Sequence, residues 1–235
     1  LGRGFSQVKF ENGFICVGAA ALDSKVAEFA SELGRDLSFL RTIPGTIGGA
    51  IKMNAGCYGC SIEEVLKDAK VLSRCGKVYT MTAEDLGLSY RQSNLPDDWI
   101  VLAARLKGKK LPTDEIQKKM RLNQKKRLES QPVRERTGGS TFKNPASSPC
   151  ETDDKTIDKK LSAWKLISES GLRGQKLGGA SVSEFHSNFL INDGTATADD
   201  FERLGDFVQR QVFARKGIRL EWEIKRVGKR KQYHK

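Results

Sequence analysis

The chain has no apolar run near the ~20 residues that a membrane-crossing helix needs. Histidine is scarce: His186 and His234 are the only two. The Cys57-x-x-Cys60 pair therefore has no second pair or histidine at zinc-ligand spacing, and no metal site is expected, while a redox role for the pair stays open. Aromatic residues make up only 8%, without the pattern of an RNA-stacking sheet. The opening LGRGFSQVKFENG lacks the basic start and apolar core of a secretory signal. With an odd count of five cysteines, that favours reduced thiols in a cytoplasmic protein. The opening also lacks an initiator Met and already reads as a strand, so the sequence reads as a fragment missing part of an N-terminal domain.

What is present is a folding composition: 38% hydrophobic and 30% charged among 235 residues, room for one large domain or two smaller ones. Lys and Arg outnumber Asp and Glu by 41 to 29, a net charge of +12. The excess gathers in two places. Residues 107–136 hold eleven basic and four acidic side chains, and the tail RVGKRKQYHK five basic and no acidic ones. Such a surface attracts polyanions, either nucleic acid or a small phosphorylated molecule.

Phe5–Phe10 and Phe14–Val17 read as a hairpin around Asn12-Gly13. Ala21–Leu33 predicts a helix with Val26, Phe29, Ala30 and Leu33 on one face and Gly34 at its end. Thr42–Gly59 reads as a glycine-rich loop, followed by a hairpin of Ala69–Ser73 and Val78–Met81 and a strand at Ile100–Leu106. A lysine-rich helix is predicted over Thr113–Leu128, a polar surface insertion over Ser147–Ser162 and a short helix over Ala163–Ser170. Ala180–Ile191 predicts strands. Thr197–Lys216 carries every helix mark: a Thr197 cap, Asp199 and Asp200 in the first turn, Arg215 and Lys216 in the last, and Gly217 beyond. Ile218–Lys225 alternates as a strand, with Glu221 and Glu223 on its polar face. A β-rich domain over 1–108 and an α+β domain over 112–221 follow, with 222–235 as a final strand returning to the first domain and a basic tail.

Four polar elements carry candidate chemistry. Ile43-Pro44-Gly45-Thr46-Ile47-Gly48-Gly49-Ala50 reads either as a packing loop or as a backbone nest for a pyrophosphate. The glycine-rich stretch from Met53 to Gly59 follows it and could wrap a flat cofactor. LSYRQS, residues 88–93, offers Arg91 beside Tyr90 for a carboxylate or a developing negative charge. RERTGGSTFKNP, residues 134–145, places Ser140 after two glycines in a tight turn, with Lys143 and Asn144 as a cation and an amide. Glu223 is the fourth.

In this order and spacing the strings FLRTIPGTIGGAIKMNAGCYG, LSYRQS, RTGGSTFKNP, GLRGQKLGGASVSEFHSNFLIN and LEWEIKRVG resemble the UDP-N-acetylenolpyruvoylglucosamine reductases. The resemblance implies an α+β fold: a vanillyl-alcohol-oxidase-type FAD-binding domain, incomplete at its N-terminus, plus an α+β substrate-binding domain. It implies FAD and NADPH as cofactors, UDP-N-acetylenolpyruvoylglucosamine as substrate, a monomer, and no nucleic-acid or membrane partner. Carried over by motif, Ser140 is the general acid, with Arg91 and Glu223 as the other catalytic residues. Pro44, Gly45, Thr46, Ile47, Gly48, Gly49, Ala50, Asn54 and Gly56 fall on the cofactor side, and Tyr90, Lys143, Asn144 and His186 on the substrate side. The span between Arg105 and Ser130 has no substrate-covering tyrosine insertion, which resembles the shorter, second type of the enzyme. Two departures stand out: the family's Gly-Gly-Asn-Ser-rich N-terminal motif is absent, and Ser147–Ser162 is longer than the family pattern. A truncated remnant without catalysis and a basic nucleic-acid-binding module are the competing readings.

Overall fold

The computed structural model describes residues 1–145 and 161–228. All of the expected Ser147–Ser162 insertion except Leu161 and Ser162, together with Cys150 and the tail from Lys229, lies outside the described residues. The chain divides into two units, Leu1–Arg127 and Leu128–Lys235.

The first unit opens with a hairpin, Val8–Glu11 (β1) and Phe14–Gly18 (β2), closed by Asn12 at φ 51° and Gly13 at φ 82°. Two positive φ values in a two-residue turn match the right-handed twist of the strands. Helix α1 (Asp23–Glu32), strand β3 (Arg35–Asp36), helix α2 (Ile47–Lys52) and the small hairpin β4 (Gly56–Cys57) and β5 (Cys60–Ser61) follow. Then come α3 (Ile62–Val65), β6 (Leu66–Leu72), β7 (Val78–Met81), β8 (Ile100–Leu106), β9 (Lys109–Lys110) and α4 (Thr113–Ser130). Five strands form one antiparallel sheet in the order β1-β2-β8-β6-β7. Its inward residues Ile15, Val17, Ala69, Val71 and Leu106 share a core with Val26, Ala27 and Ala30 of α1 and Ile47 and Ile51 of α2.

Two expectations need correction here. Leu33 is not on the buried face of α1: it is the residue after the helix and is 42% exposed. The Thr42–Gly59 stretch is not simply a loop, because α2 forms inside it. Glycine disfavours a helix, yet Ile47, Ala50 and Ile51 are buried here, so tertiary packing overrides the weak local propensity.

The second unit contains β10 (Thr137–Ser140), α5 (Ala163–Glu169), β11 (Lys176–Leu177), β12 (Ala180–Val182), β13 (Phe189–Asn192) and α6 (Ala198–Lys216). The strands make a four-stranded sheet in the order β10-β13-β12-β11. Helix α6 has the predicted ends: Thr197 and Asp200 form a reciprocal capping box, and Gly217 closes the helix at φ 70°. Its buried stripe of Leu204, Val208 and Val212 joins Phe142, Leu166, Ile167 and Leu190 in a second core. Gly205 lets helix and ring meet there, since a Cβ at that position would run into the Trp222 ring.

The strand expected over Ile218–Lys225 does not form as a regular strand. The segment makes one isolated bridge, Phe142↔Trp222. Leu220 is buried, and Ile218 and Trp222 pack against the second core, which explains the alternation. The pairing then slips, because the N–H groups of Glu223 and Ile224 both donate to the Thr141 carbonyl, at 2.9 and 3.4 Å.

Candidate active site

In the first unit, the Pro44–Ala50 turn is anchored through its own backbone. Ile47 N–H donates to the Ala21 carbonyl at 3.1 Å and Gly48 N–H to the Ala19 carbonyl at 2.9 Å. These two donors hold the turn in place and are not available as a nest. A Cβ on Gly48 would sit 3.0 Å from the Ala19 Cβ, whereas one on Gly49 would meet nothing within 4 Å. Gly49 therefore presents bare backbone to a concavity of about 390 Å³, whose lining includes Thr46, Gly48, Lys52 and Trp99. Lys52 pairs with Asp97 at 3.0 Å and donates to the Leu95 carbonyl. The motif string that contains this lysine gives it no role, although a cation on a glycine wall is the usual partner of a phosphate.

Asp23 lies directly behind the same turn. It is fully buried, neither carboxyl oxygen has a hydrogen-bond partner among the described residues, and a Cβ on Gly45 would lie 3.1 Å from its Oδ2. Burial alone pushes its pKa up to about 7.

Asn54, expected on the cofactor side, spends its amide on the protein. Its Oδ1 accepts from Glu63 N–H at 3.0 Å, and its Nδ2 donates to the Ser89 carbonyl at 3.0 Å. That second bond ties it to the turn bearing Tyr90 and Arg91, where Ser89 and Gln92 exchange backbone bonds at 3.0 and 3.1 Å. Arg91 sits at φ 55°, a left-handed conformation that such turns normally give to glycine. Its Nη2 donates to the Gly56 carbonyl at 3.1 Å, and the guanidinium lies 5.0 Å from the centre of the exposed Tyr90 ring. Holding a non-glycine residue there costs free energy that the surrounding contacts must offset.

In the second unit, Ser140 ends β10 opposite Phe189, while Thr137 stands opposite Ile191. One residue too many separates those two pairs. The surplus is accommodated as a bulge with Gly139 at φ 93°, the kind of irregularity that re-aims a side chain next to a site. On one side Thr141 N–H donates to the Asn188 carbonyl at 2.8 Å; on the other the Thr141 carbonyl accepts from Glu223 N–H. Ser140 and Glu223 are thus joined through one intervening residue. Gly138 keeps that space tight, since a Cβ there would lie 3.2 Å from Ile224 Cδ1.

Comparison with known proteins gives the family. Residues 131–227 match the family model of the UDP-N-acetylenolpyruvoylglucosamine reductase C-terminal domain, and residues 2–82 match an FAD binding domain. A UDP-N-acetylenolpyruvoylglucosamine reductase of Cereibacter sphaeroides is 50% identical over 97% of this chain and 74% of its own length. The chain belongs to the UDP-N-acetylenolpyruvoylglucosamine reductase family. A relative of the same name from Ruegeria pomeroyi is 49% identical over the same shares. The crystal structure of the Thermus caldophilus reductase superposes with a TM-score of 0.78 at 33% identity, covering 94% of this chain and 74% of that one. The expected α+β fold, an FAD-binding domain followed by the reductase C-terminal domain, holds, and the family makes this an oxidoreductase of peptidoglycan synthesis. No helix among the described residues is long and apolar enough to cross a membrane.

The remaining reductase-motif residues are placed as follows. Lys143 Nζ lies 3.6 Å from the exposed Glu221 carboxylate, and its N–H donates to the Glu221 carbonyl at 2.8 Å. Asn144 Oδ1 accepts from Ala163 N–H at 3.0 Å, at the start of α5. His186 is half-buried; its Nδ1 accepts from Asn188 N–H at 3.3 Å, and its ring meets Phe189 edge-on at 4.8 Å. Burial lowers its pKa below the usual histidine value. Asn188, which the motif reading quoted without a role, is the buried hub of this region. As to FAD, the bare backbone at Gly49, beside Lys52, suits a flat group carrying phosphates. The residues present therefore fit the group.

Proposed function

We propose that this chain reduces the enolpyruvyl double bond of UDP-N-acetylenolpyruvoylglucosamine to give UDP-N-acetylmuramate, using NADPH, with Ser140, Arg91 and Glu223 as its catalytic side chains. Bound FAD would supply the hydride, taken first from NADPH. Ser140 would give the proton to the enol formed on the substrate. A serine hydroxyl is a weak acid and serves only when aligned. The bulge with Gly139 at φ 93°, fixed between two ladder pairs, is the observation that carries this reading. Glu223 is tied by its backbone to the next residue, which supports its acting beside Ser140. Arg91 would hold the substrate carboxylate and stabilise charge as it develops, a role its strained corner supports.

Lys143, Asn144, Tyr90 and His186 would line the substrate side. The Pro44–Ala50 turn, with Asn54 and Gly56, would serve the cofactor, Asn54 by positioning. In this reading residues 1–108 are the flavin part and 112–221 the substrate part, with 222–235 following them. The protein would act as a cytoplasmic monomer, and its charge of +12 suits two polyanions, UDP-sugar and NADPH.

The test is an anaerobic half-reaction experiment on FAD-loaded protein. Ser140→Ala should bleach with NADPH at a near-normal rate and recover colour with the enolpyruvyl substrate at least about 100-fold more slowly. Equal slowing of both halves would remove Ser140 from the proton step.

A further inference from the structure

The C-x-x-C motif has no part in the chemistry above, and the structure gives it an unusual setting. Cys57 and Cys60 face each other directly across the β4–β5 hairpin. Tyr58 at φ 54° and Gly59 at φ 80° form the two-residue turn between them. Directly opposed residues of an antiparallel pair have Cα atoms about 4.5–5.5 Å apart and side chains on the same face. Disulfides span about 4.4–6.8 Å between Cα atoms. Both side chains turn toward the same core cluster and are half-buried, not sealed. Each is a free thiol in this structure.

We propose that Cys57 and Cys60 are a reversible two-electron redox site that closes to a hairpin disulfide when a hydroperoxide is present. The Cys57 sulfur attacks the peroxide, an S–O bond forms as the O–O bond breaks, and the alcohol (water, from hydrogen peroxide) leaves. The Cys60 sulfur then attacks the Cys57 sulfur, the S–S bond forms and the S–O bond breaks. The departing hydroxide takes the remaining proton as water. Two thiols are oxidised by two electrons, and one hydroperoxide is reduced to alcohol and water.

The order of attack follows from surroundings. Burial raises both thiols, but Cys57 gains from the Thr42 hydroxyl and the charges of Arg91 and Arg127, whereas Cys60 is pushed up to about 11. Cys57 is therefore the first to ionise. Both remain protonated at neutral pH, so the site responds to sustained peroxide and more readily as pH rises. Closure also has a mechanical reach. Cys57 Sγ donates to the Phe39 carbonyl at 3.3 Å and contacts Thr42 Oγ1 at 3.5 Å; a disulfide sulfur has no proton to give, so closure loses the bond to Phe39. The preceding residue, Gly56, carries the carbonyl that holds Arg91. Oxidation should thus disturb Arg91; that consequence rests on the role proposed for Arg91 above, while the disulfide itself does not.

The experiment treats the native full-length chain with hydrogen peroxide, alkylates the remaining thiols, and maps peptides by mass. Met53–Lys67, the tryptic peptide bearing both cysteines, should become two hydrogens lighter with no alkyl group, and dithiothreitol should restore two alkylatable thiols. Its formation rate should rise about tenfold per pH unit below the Cys57 pKa. Cys60→Ser should instead leave Cys57 as a sulfenic acid trapped by a dione reagent. The exposed Cys75, whose pKa is lowered by Ser73, is the internal control and should oxidise sooner. The proposal is overturned if the peptide keeps both alkyl groups after Cys75 has fully reacted, or if Cys57 gives the same product with and without Cys60. A lost disulfide would leave the reductase reading standing. A disulfide that forms without changing turnover of loaded enzyme would instead count against Arg91.

Discussion

The side-chain amide of Asn188 holds Phe142 by both of its backbone polar groups, one on each side of its Cα. Oδ1 accepts from Phe142 N–H at 3.0 Å, and Nδ2 donates to the Phe142 carbonyl at 2.8 Å. Asn188 is 4% exposed and Phe142 1%, so water cannot replace either bond. Its own carbonyl takes Thr141 N–H, which extends the grip to the residue after Ser140. Asn188→Ala strands two buried backbone groups, and the expected loss is on the order of 3 kcal/mol. Asn188→Asp keeps the acceptor but sets an anion against the Phe142 carbonyl, so it should fall at least as far. Urea unfolding midpoints check both; an unchanged midpoint would mean the clamp adds nothing to stability.

Arg91 separates stability from function. Its φ of 55° costs about 1 kcal/mol for a residue with a Cβ, a cost that glycine avoids. Arg91→Gly relieves that strain, loosens the unfolded chain and loses the bond to Gly56. The expected net stability change is within about 1 kcal/mol. The substrate half-reaction should nevertheless slow by at least about 100-fold. A large drop in the unfolding midpoint, with the half-reaction intact, would assign Arg91 a structural role only.

Asp23 makes stability depend on pH. Its folded pKa of about 7 lies above the ordinary 3.8. Between those values the folded chain keeps a proton that the unfolded chain has lost, so stability falls as pH rises through that window and levels off above it. Asp23→Asn cannot ionise. The difference between variant and parent should grow in the variant's favour from about pH 4 to about pH 7, reaching a few kcal/mol in order of magnitude. Denaturant titrations at several pH values measure it, and parallel curves would show that the carboxyl does not titrate there.

Gly205 tests the seat of the Glu223 segment. Alanine is the better helix former by about 1 kcal/mol, but its Cβ would run into the Trp222 ring. That ring packs on Phe142 with centroids 5.1 Å apart and donates from Nε1 to Gln209 Oε1 at 3.2 Å. Gly205→Ala should therefore lower the melting temperature and shift the tryptophan fluorescence. An increased melting temperature would mean that the ring yields at little cost.

Helix α6 and the β1–β2 hairpin were legible in the sequence because their ends are chemical: the Thr197 capping box, Gly217, and the Asn12-Gly13 turn. Helix α2 was not, because two of its residues are glycines and only burial against the sheet makes them helical. Ile218–Lys225 misled for the opposite reason: its alternation records packing on α6, a signal that a strand also gives. Ser140 and Arg91 could be picked out because glycine neighbours and a lone charge stand out in a string. Asp23, Lys52 and Asn188 could not, since an orphaned carboxyl, a lysine beside a concavity and a buried amide clamp are defined only by distant neighbours.

The bond from Ala163 N–H to Asn144 Oδ1 fastens two points nineteen residues apart in sequence. Once a ring is closed by such a staple, the cost of lengthening the chain between its ends grows only logarithmically, about 0.6 kcal/mol for each doubling. The length of chain between Asn144 and Ala163 therefore weighs little on the anchored ends. A foreign peptide spliced between Pro145 and Leu161 should therefore leave the serine bulge and its asparagine clamp in register.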